Sequence, residues 1–467
     1  MSSKALLRFA LAAFFALLLS LPVFAESHVR IVRLSYIEGG VTIDRNTGQF
    51  EKAIVNLPIT EGAKLRTAED GRAEVEFEDG STLRLAPNTS VQFPTLTLRD
   101  SGGKNSVVDL QSGTVYVDFA AAKHDELTLL FGNSKTTLTQ AAHLRVDAND
   151  SRIALAVFKG DVRVESPAGT AQVKKNQTAT LDAGDNVQAV VAKKIEPEPL
   201  DSWDKKQSEY HQVYASNSYR DYSPYAYGTS DLSYYGSFFS APGYGMLWQP
   251  YFIGAGWNPF MDGAWAFSPG VGYGWVSAYP WGWVPYHYGT WVFLPGYGWG
   301  WQPGGAWMPN YSQPLLLNTP SGFKRPQPPA ATPVKGTTIL AVNRGATPTL
   351  ANQPGSKIMI RSNSAGLGVP RGLSNMSRVS QQVQSKGMVA ERVPTGRISG
   401  PPRSMMQPGM APGMARGNGV DRGEMSRPAA PRMSSPPPSP RMSSPPPSPP
   451  PAPRMSMPAP PPSSPRR

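Results

Sequence analysis

The sequence predicts an all-β protein in three parts. A β-sandwich or roll, of jelly-roll or short β-solenoid type, comes first; a small module of aromatic β-hairpins and a disordered tail follow. Three observations carry this. Residues 28–190 alternate apolar and polar side chains with period two between turn residues. Residues 242–309 hold ten of the eleven tryptophans. Residues 311–467 have two aromatics, Tyr311 and Phe323, and end in 40 residues with 18 prolines.

In chain order, residues 1–25 read as a signal peptide. Lys4 and Arg8 precede the apolar run FALAAFFALLLSL (9–21), and Val23 and Ala25 flank a small-residue cleavage position. No later run reaches the roughly 18 apolar residues of a membrane span. The mature chain is therefore expected to be exported: periplasmic, envelope-associated or secreted, with no membrane span once the signal is removed.

The β-region follows. Ala73-Glu74-Val75-Glu76-Phe77-Glu78 alternates small or apolar with acidic residues, and Asp79-Gly80 is a strong hairpin signal. Leu83-Arg84-Leu85 alternates again and stops at Pro87. Val115-Tyr116-Val117-Asp118-Phe119 and Ile153–Phe158 are further strands, the second turning at Lys159-Gly160-Asp161. Glu74, Glu76 and Glu78 then fall on one strand face, which reads as solvated.

The order and spacing of "EGAKLRT" (61–67), "DGSTLRLAPNTSV" (79–91), "LQSGTVYVDF" (110–119), "VFKGDVRV" (157–164) and "NQTATLDAG" (176–184) resemble the FecR domain over residues 30–190. One departure is "TQAAHLRV" (139–146), where the family has a Gly-Thr turn. The resemblance implies the all-β fold and a setting in envelope signalling. There the family's domain is the periplasmic half of a membrane sensor that relays a receptor signal to a sigma-factor regulator. Here the domain is expected to follow the export signal directly, with no cytoplasmic regulator part before it, so that a partner would execute any such signal.

Residues 195–241 are polar and rich in Tyr and Ser and read as a linker. The module 242–309 is a repeat. WNPFMDGAWAFSPGVGYGW (257–275) aligns without a gap to WVPYHYGTWVFLPGYGWGW (283–301), with ten of 19 positions identical. A partial copy starts at Pro242. Trp-x-Pro-Tyr/Phe is expected to start a strand, Gly-x-Trp-x-Phe to continue it, Pro-Gly to turn and Gly-Tyr-Gly-Trp to return. "GWVSAYPWGWVPYHYGTW" (274–291) is also similar to a Trp/Gly/Tyr-rich family of unassigned function that accompanies FecR-like domains.

Candidate chemistry is sparse. The absence of cysteine excludes disulfides, thiolate metal sites, a Cys nucleophile and a lipoprotein anchor. His287 is replaced by Met261 in the other repeat copy, and no pair of histidines has ligand spacing. No catalytic residue, cofactor or metal site is expected. The one ligand-binding candidate is a set of stacking aromatics: Trp257, Trp265, Trp275, Trp283, Trp291 and Trp301.

Charge points to partners. Residues 311–467 carry 20 Lys/Arg against 3 Asp/Glu, whereas the rest carries 25 against 30. The overall +12 thus belongs to the tail. Cations and aromatics sit on different segments, which argues against nucleic acid. The expected function is a non-enzymatic envelope protein that binds or scaffolds a protein or glycan partner, its tail touching anionic envelope polymers. Alternatives are a carbohydrate- or peptidoglycan-binding protein using the Trp repeats, and an accessory of FecR-type sigma-factor signalling.

Overall fold

The computed structural model describes residues 30–149, 152–182, 188–215, 221–269, 271–308, 314–333, 337–342, 355–373 and 375–393. The expected signal peptide and the proline-rich repeats lie outside these residues.

Residues 30–192 form two face-to-face antiparallel ladders joined through one long strand. The first sheet runs Glu51–Lys52, Val41–Asp44, Lys64–Thr67, Ser90–Leu98, Lys104–Phe119, Glu126–Phe131, Ser134–Leu138, Asp161–Ser166, Gly169–Lys174. The second runs Pro58–Ile59, Val32–Glu38, Arg72–Glu76, Thr82–Leu85, Lys104–Phe119, Ala142–Ala148, Arg152–Lys159, Gln177–Asp182, Val190–Ala192. After Phe119 the chain lays down two strands in one sheet and two in the other, in turn, which is a roll. The only parallel pair in these two ladders is Lys104–Phe119 with Glu126–Phe131.

The period-two pattern explains the layers. Inward side chains from both sheets, among them Ile43, Leu65, Phe93, Leu110, Leu129 and Val164 against Leu34, Val75, Leu83, Val117, Val146 and Leu155, share one core. "TQAAHLRV" keeps its strand, Ala142–Ala148, with a register shift at His143/Leu144 in place of the missing Gly-Thr turn.

Two boundaries differ from expectation. The linker contains helix α1 (Asp201–Tyr214) and helix α2 (Thr229–Tyr235), and both are packed. α1 lacks a long apolar stripe, because a polar flank of it faces the sandwich, so hydrophobic periodicity could not reveal it. Part of the tail expected from 311 is folded: strands Lys357–Arg361 and Met388–Arg392 pair, and a further helix spans Met376–Lys386. Ile358, Ile360, Leu373, Val379 and Val383 join the aromatic core, which supplies the burial that composition did not foretell.

The module holds three hairpins: Gly236–Ala241 with Gly245–Pro250, Gly263–Ser268 with Gly272–Ser277, and Thr290–Leu294 with Gly298–Gln302. The turns share Pro-Gly-x-Gly. Tyr244 N and Tyr297 N donate to Ala241 O and Leu294 O at 3.1 and 3.0 Å, with Gly243 and Gly296 at φ 79° and 83°. Pro at the second position and left-handed Gly at the third define a type II turn. The first and third hairpins join through Trp248 and Trp301 into a five-stranded sheet, completed by Leu315–Leu317. Trp-x-Pro-Tyr does not start a strand. It forms the one-turn helix α3 (Val284–His287) in one copy and a turn in the other, since Pro285 suits the first helical turn.

Lys104–Phe119 changes sheet at Gly113, which has φ 93° and would place a Cβ 2.5 Å from Thr89 Oγ1 and 2.7 Å from Asn88 O. Gly113→Ala should therefore cost about 2 kcal/mol or more, through both the backbone and the clash. Urea unfolding would show it as a lowered midpoint with an unchanged slope.

Candidate functional site

The chemistry-bearing side chains converge on the outer face of the second sheet. The alternating acidic strand is not solvated: Glu74, Glu76 and Glu78 are 0, 2 and 6% exposed. Each meets an arginine that the sequence brings to the same face. Arg84, on the neighbouring strand, gives Nε to Glu74 at 2.8 Å; Arg33 gives Nη1 to Glu76 at 3.0 Å; Arg30 reaches Glu78 at 2.8 and 2.7 Å.

Helix α1 lies over this face and contributes polar groups to it. Asp204 accepts from Arg84 at 2.6 Å and lies 2.7 Å from His143 Nε2. Ser208 accepts from the same arginine at 2.9 Å and donates to Asp118 at 3.1 Å. His211 Nε2 lies 2.9 Å from Glu74 Oε1, and its Nδ1 lies 3.8 Å from Glu76 Oε1. At the N-terminus Asp201 accepts from Tyr116 OH and Arg145 at 2.9 and 2.6 Å. Positions 201, 204, 208 and 211 recur at helical spacing, so one flank of the helix is a row of partners for the sheet.

Two further segments close the network. Asp231 of α2 accepts from Tyr210 OH at 2.7 Å and pairs with Arg33 at 2.7 Å. Arg371 forks onto both Asp231 oxygens at 3.2 and 3.1 Å and onto Glu74 at 2.7 Å. Its guanidinium also lies over the rings of Tyr210 and Tyr36, 4.8 and 5.7 Å from their centroids. Residues about 300 apart in sequence thus share one buried charge cluster.

Burial pushes the carboxyls of Glu74, Glu76 and Asp231 upward, and the partners decide the outcome. At Glu74, His211, Arg371 and Arg84 outweigh burial and hold the group well below the usual carboxylate range. At Asp231, Arg371 and Arg33 also outweigh burial, and the group is lowered. At Glu76 burial prevails, helped by Asp231 and Glu74, and the group is raised. Each of these three carboxyls is paired with arginine: Glu74 with Arg84 and Arg371, Glu76 with Arg33, and Asp231 with Arg33 and Arg371. Among the described residues no cluster of His, Cys, Asp and Glu could hold a metal ion.

The six tryptophans expected as stacking platforms are core instead: Trp257, Trp265, Trp275, Trp283, Trp291 and Trp301 are all at most 4% exposed. Trp265 faces Trp275, and Trp291 faces Trp301, across their hairpins. Several indole N–H groups are spent internally, whereas those of Trp265 and Trp275 are buried without a hydrogen-bond partner. Trp257 donates to Tyr279 OH at 3.0 Å, Trp291 to Pro285 O at 3.1 Å, Trp301 to Tyr288 O at 2.7 Å and Trp281 to Ala365 O at 2.6 Å. The repeat places the rings correctly in hairpins, but which sheet face is covered depends on residues 355–393, far outside it. His287 is likewise structural. Its Nδ1 lies 2.8 Å from Trp283 O, and its ring packs on Trp283 and Trp307 at 4.0 and 5.4 Å.

Residues 63–163 match the family model "FecR protein", and residues 229–323 match a "Family of unknown function (DUF6600)". The two matches lie on separate stretches of the chain, in that order. No curated protein matches it. Among solved structures, it is similar to two crystal structures of a candidate anti-sigma factor from Parabacteroides distasonis ATCC 8503. They are 16 and 15% identical, with 33 and 34% of this chain and 67 and 72% of those chains covered. Both TM-scores are 0.26, a likeness that assigns no function. No helix among the described residues is long and apolar enough to cross a membrane.

Arg371→Ala should cost about 3–5 kcal/mol, because it strips a partner from two buried carboxylates at once. Chemical denaturation at neutral pH measures this. His287 supplies a pH test. Burial pushes its imidazole down from 6.5 to about 4. The folded state then resists a proton that the unfolded chain takes up. Its contribution is complete above pH 6.5 and lost as pH falls from there to about 4. Over that window the native protein should lose on the order of 3 kcal/mol more stability than His287→Gln.

Proposed function

We propose that this protein is a non-enzymatic, exported component of the bacterial cell envelope that binds or scaffolds a partner in envelope signalling. One observation carries the reading. The polar outer face of the second sheet is consumed inside the molecule by α1, Asp231 and Arg371, so the sandwich offers the outer face of its first sheet. That face bears exposed Arg66, Lys135 and Arg163 with the half-buried Glu165. A shallow polar groove of about 330 Å³ lies between Thr137, Gln140, Asp161, Arg163, Glu165 and Gln172. The match to the FecR family supports a protein partner connected with signalling. The basic segment beyond residue 393, with ten arginines against two acidic residues, would add weak adhesion to anionic polymers of the envelope. An accessory role beside a FecR-type sigma-factor system is the same reading with the partner specified.

A photo-crosslinking amino acid at Arg163 of the full-length protein should give discrete adducts in cells. The same group at Trp203, which is only 8% exposed, should give none. Equal or absent labelling at both positions would defeat the reading.

A further inference from the structure

The aromatic module turns a second face outward, and this face is uncharged. In the five-stranded sheet, Trp248, Trp291, Trp299 and Trp301 point into the aromatic core. Strand alternation sends their neighbours Leu247, Gln249, Val292, Gly300 and Gln302 to the opposite face. Leu247 and Val292 are nevertheless 0% exposed, because Phe239 and Tyr244 pack over them in a separate small cluster. Gly300 leaves the room: a Cβ there would lie 3.1 Å from Leu247 Cδ1 and 3.6 Å from Phe239 Cζ. The result is a thin aromatic roof. The Phe239 and Tyr297 rings are parallel within 10°, with centroids 5.8 Å apart, and Tyr297 is 53% exposed. Leu315 and Leu317, 68 and 45% exposed, extend the apolar surface beside Thr290 and Val292.

Amides border the rings. Gln249 Nε2 donates to Tyr297 O and Trp299 O at 2.9 Å, Gln302 Nε2 donates to Tyr244 O at 2.8 Å, and Asn318 Nδ2 donates to Tyr244 OH. These bonds fix the ring-bearing turns and keep neutral hydrogen-bonding groups at their edge. Not one Asp, Glu, Lys or Arg occurs between Gly263 and Phe323, and of the charges just beyond, Arg325 reaches the Leu315 end of the sheet, donating to Pro314 O at 2.8 Å.

We propose that this face binds a neutral glycan chain, with pyranose faces on the Phe239–Tyr297 rings and sugar hydroxyls on the bordering amides. Charge selects this occupant: an uncharged surface gives an anionic or cationic polymer no attraction. Area selects it over a protein or a second copy. Three exposed apolar side chains and two partly covered rings fall well short of the roughly 800 Å² per partner of a stable protein interface. Pre-set rings with little rotamer freedom to lose suit a narrow polymer. This surface is separate from the groove on the sandwich, so either assignment can fail while the other stands.

The test uses the full-length protein with chitin and cellulose beads, and with chitotetraose in solution. Retention should be unchanged between about 50 and about 500 mM salt, because no charge pair is involved. Tyr297→Ala should weaken binding about tenfold or more, by analogy with the loss of one ring-stacking contact. Tyr297→Trp should retain it. Val271→Ala, at the equivalent tip of the middle hairpin and 56% exposed, should leave it untouched. Circular dichroism and thermal melting would check that each variant is folded. No retention of any of the three glycans, or a folded Tyr297→Ala that binds like the native protein, would overturn the proposal. So would a dimer in sedimentation that Leu317→Glu dissolves, since the face would then be occupied by a second copy.

Discussion

The contact of Glu74 with four donors sets the terms for the rest of the molecule. Its carboxylate takes Arg84 from the next strand, Ser35 from the strand before, His211 from α1 and Arg371 from a segment 297 residues further on. A buried ion cluster adds little net stability by itself, since the loss of water offsets much of the attraction. What it does strongly is reject incomplete assembly. With any donor missing, a carboxylate stays buried without enough partners, at a cost of several kcal/mol. The cluster therefore specifies which segments must meet.

The aromatic core supplies the favourable burial that this arrangement needs. Seven tryptophans, at 248, 265, 275, 281, 283, 291 and 301, lie among the largest fully buried side chains. Glycine makes such density feasible. At Gly263 and Gly289 a Cβ would strike the indoles of Trp275 and Trp301 at 2.3 and 2.5 Å. The invariant Gly-x-Trp spacing of the two copies is thus a packing rule: the glycine is where the cross-strand indole lies. Arg33 joins the two halves directly, donating through Nη2 to Pro280 O at 2.5 Å while Asn56 Nδ2 reaches Ser277 O and Tyr279 O at 3.0 and 2.6 Å.

Much of this was legible in the sequence, for physical reasons. Strands that bury one face leave a period-two trace, so the sandwich and its FecR resemblance could be read from residues such as Ala73–Glu78 and Val115–Phe119. The hairpins could be read because Pro-Gly-x-Gly fixes backbone angles locally. The polar interior was hidden. An alternating Glu strand looks the same whether water or arginine faces it, and α1 resembles a linker because Asp204, Ser208 and His211 are its inward residues. Arg371 was hidden by its neighbourhood, a Gly- and Ser-rich stretch whose few apolar residues, Leu373, Met376, Val379 and Val383, complete a core built elsewhere. The Trp residues were recognised as a unit, but whether rings face solvent is a property of what covers them.

One detail of the middle hairpin reaches beyond packing. Trp265 and Trp275 face the aromatic core, while Ala266 and Val276 belong to the core of the sandwich. Two strands therefore serve both interiors, one with each side. The regions that match two separate families, 63–163 and 229–323, are then not separable parts in the mechanical sense. Cutting the gene between them would leave one product with an uncovered charged sheet and the other with a bare apolar flank. The smallest inheritable piece of this protein is larger than either sequence family, and selection would have to preserve the seam as closely as the domains it joins.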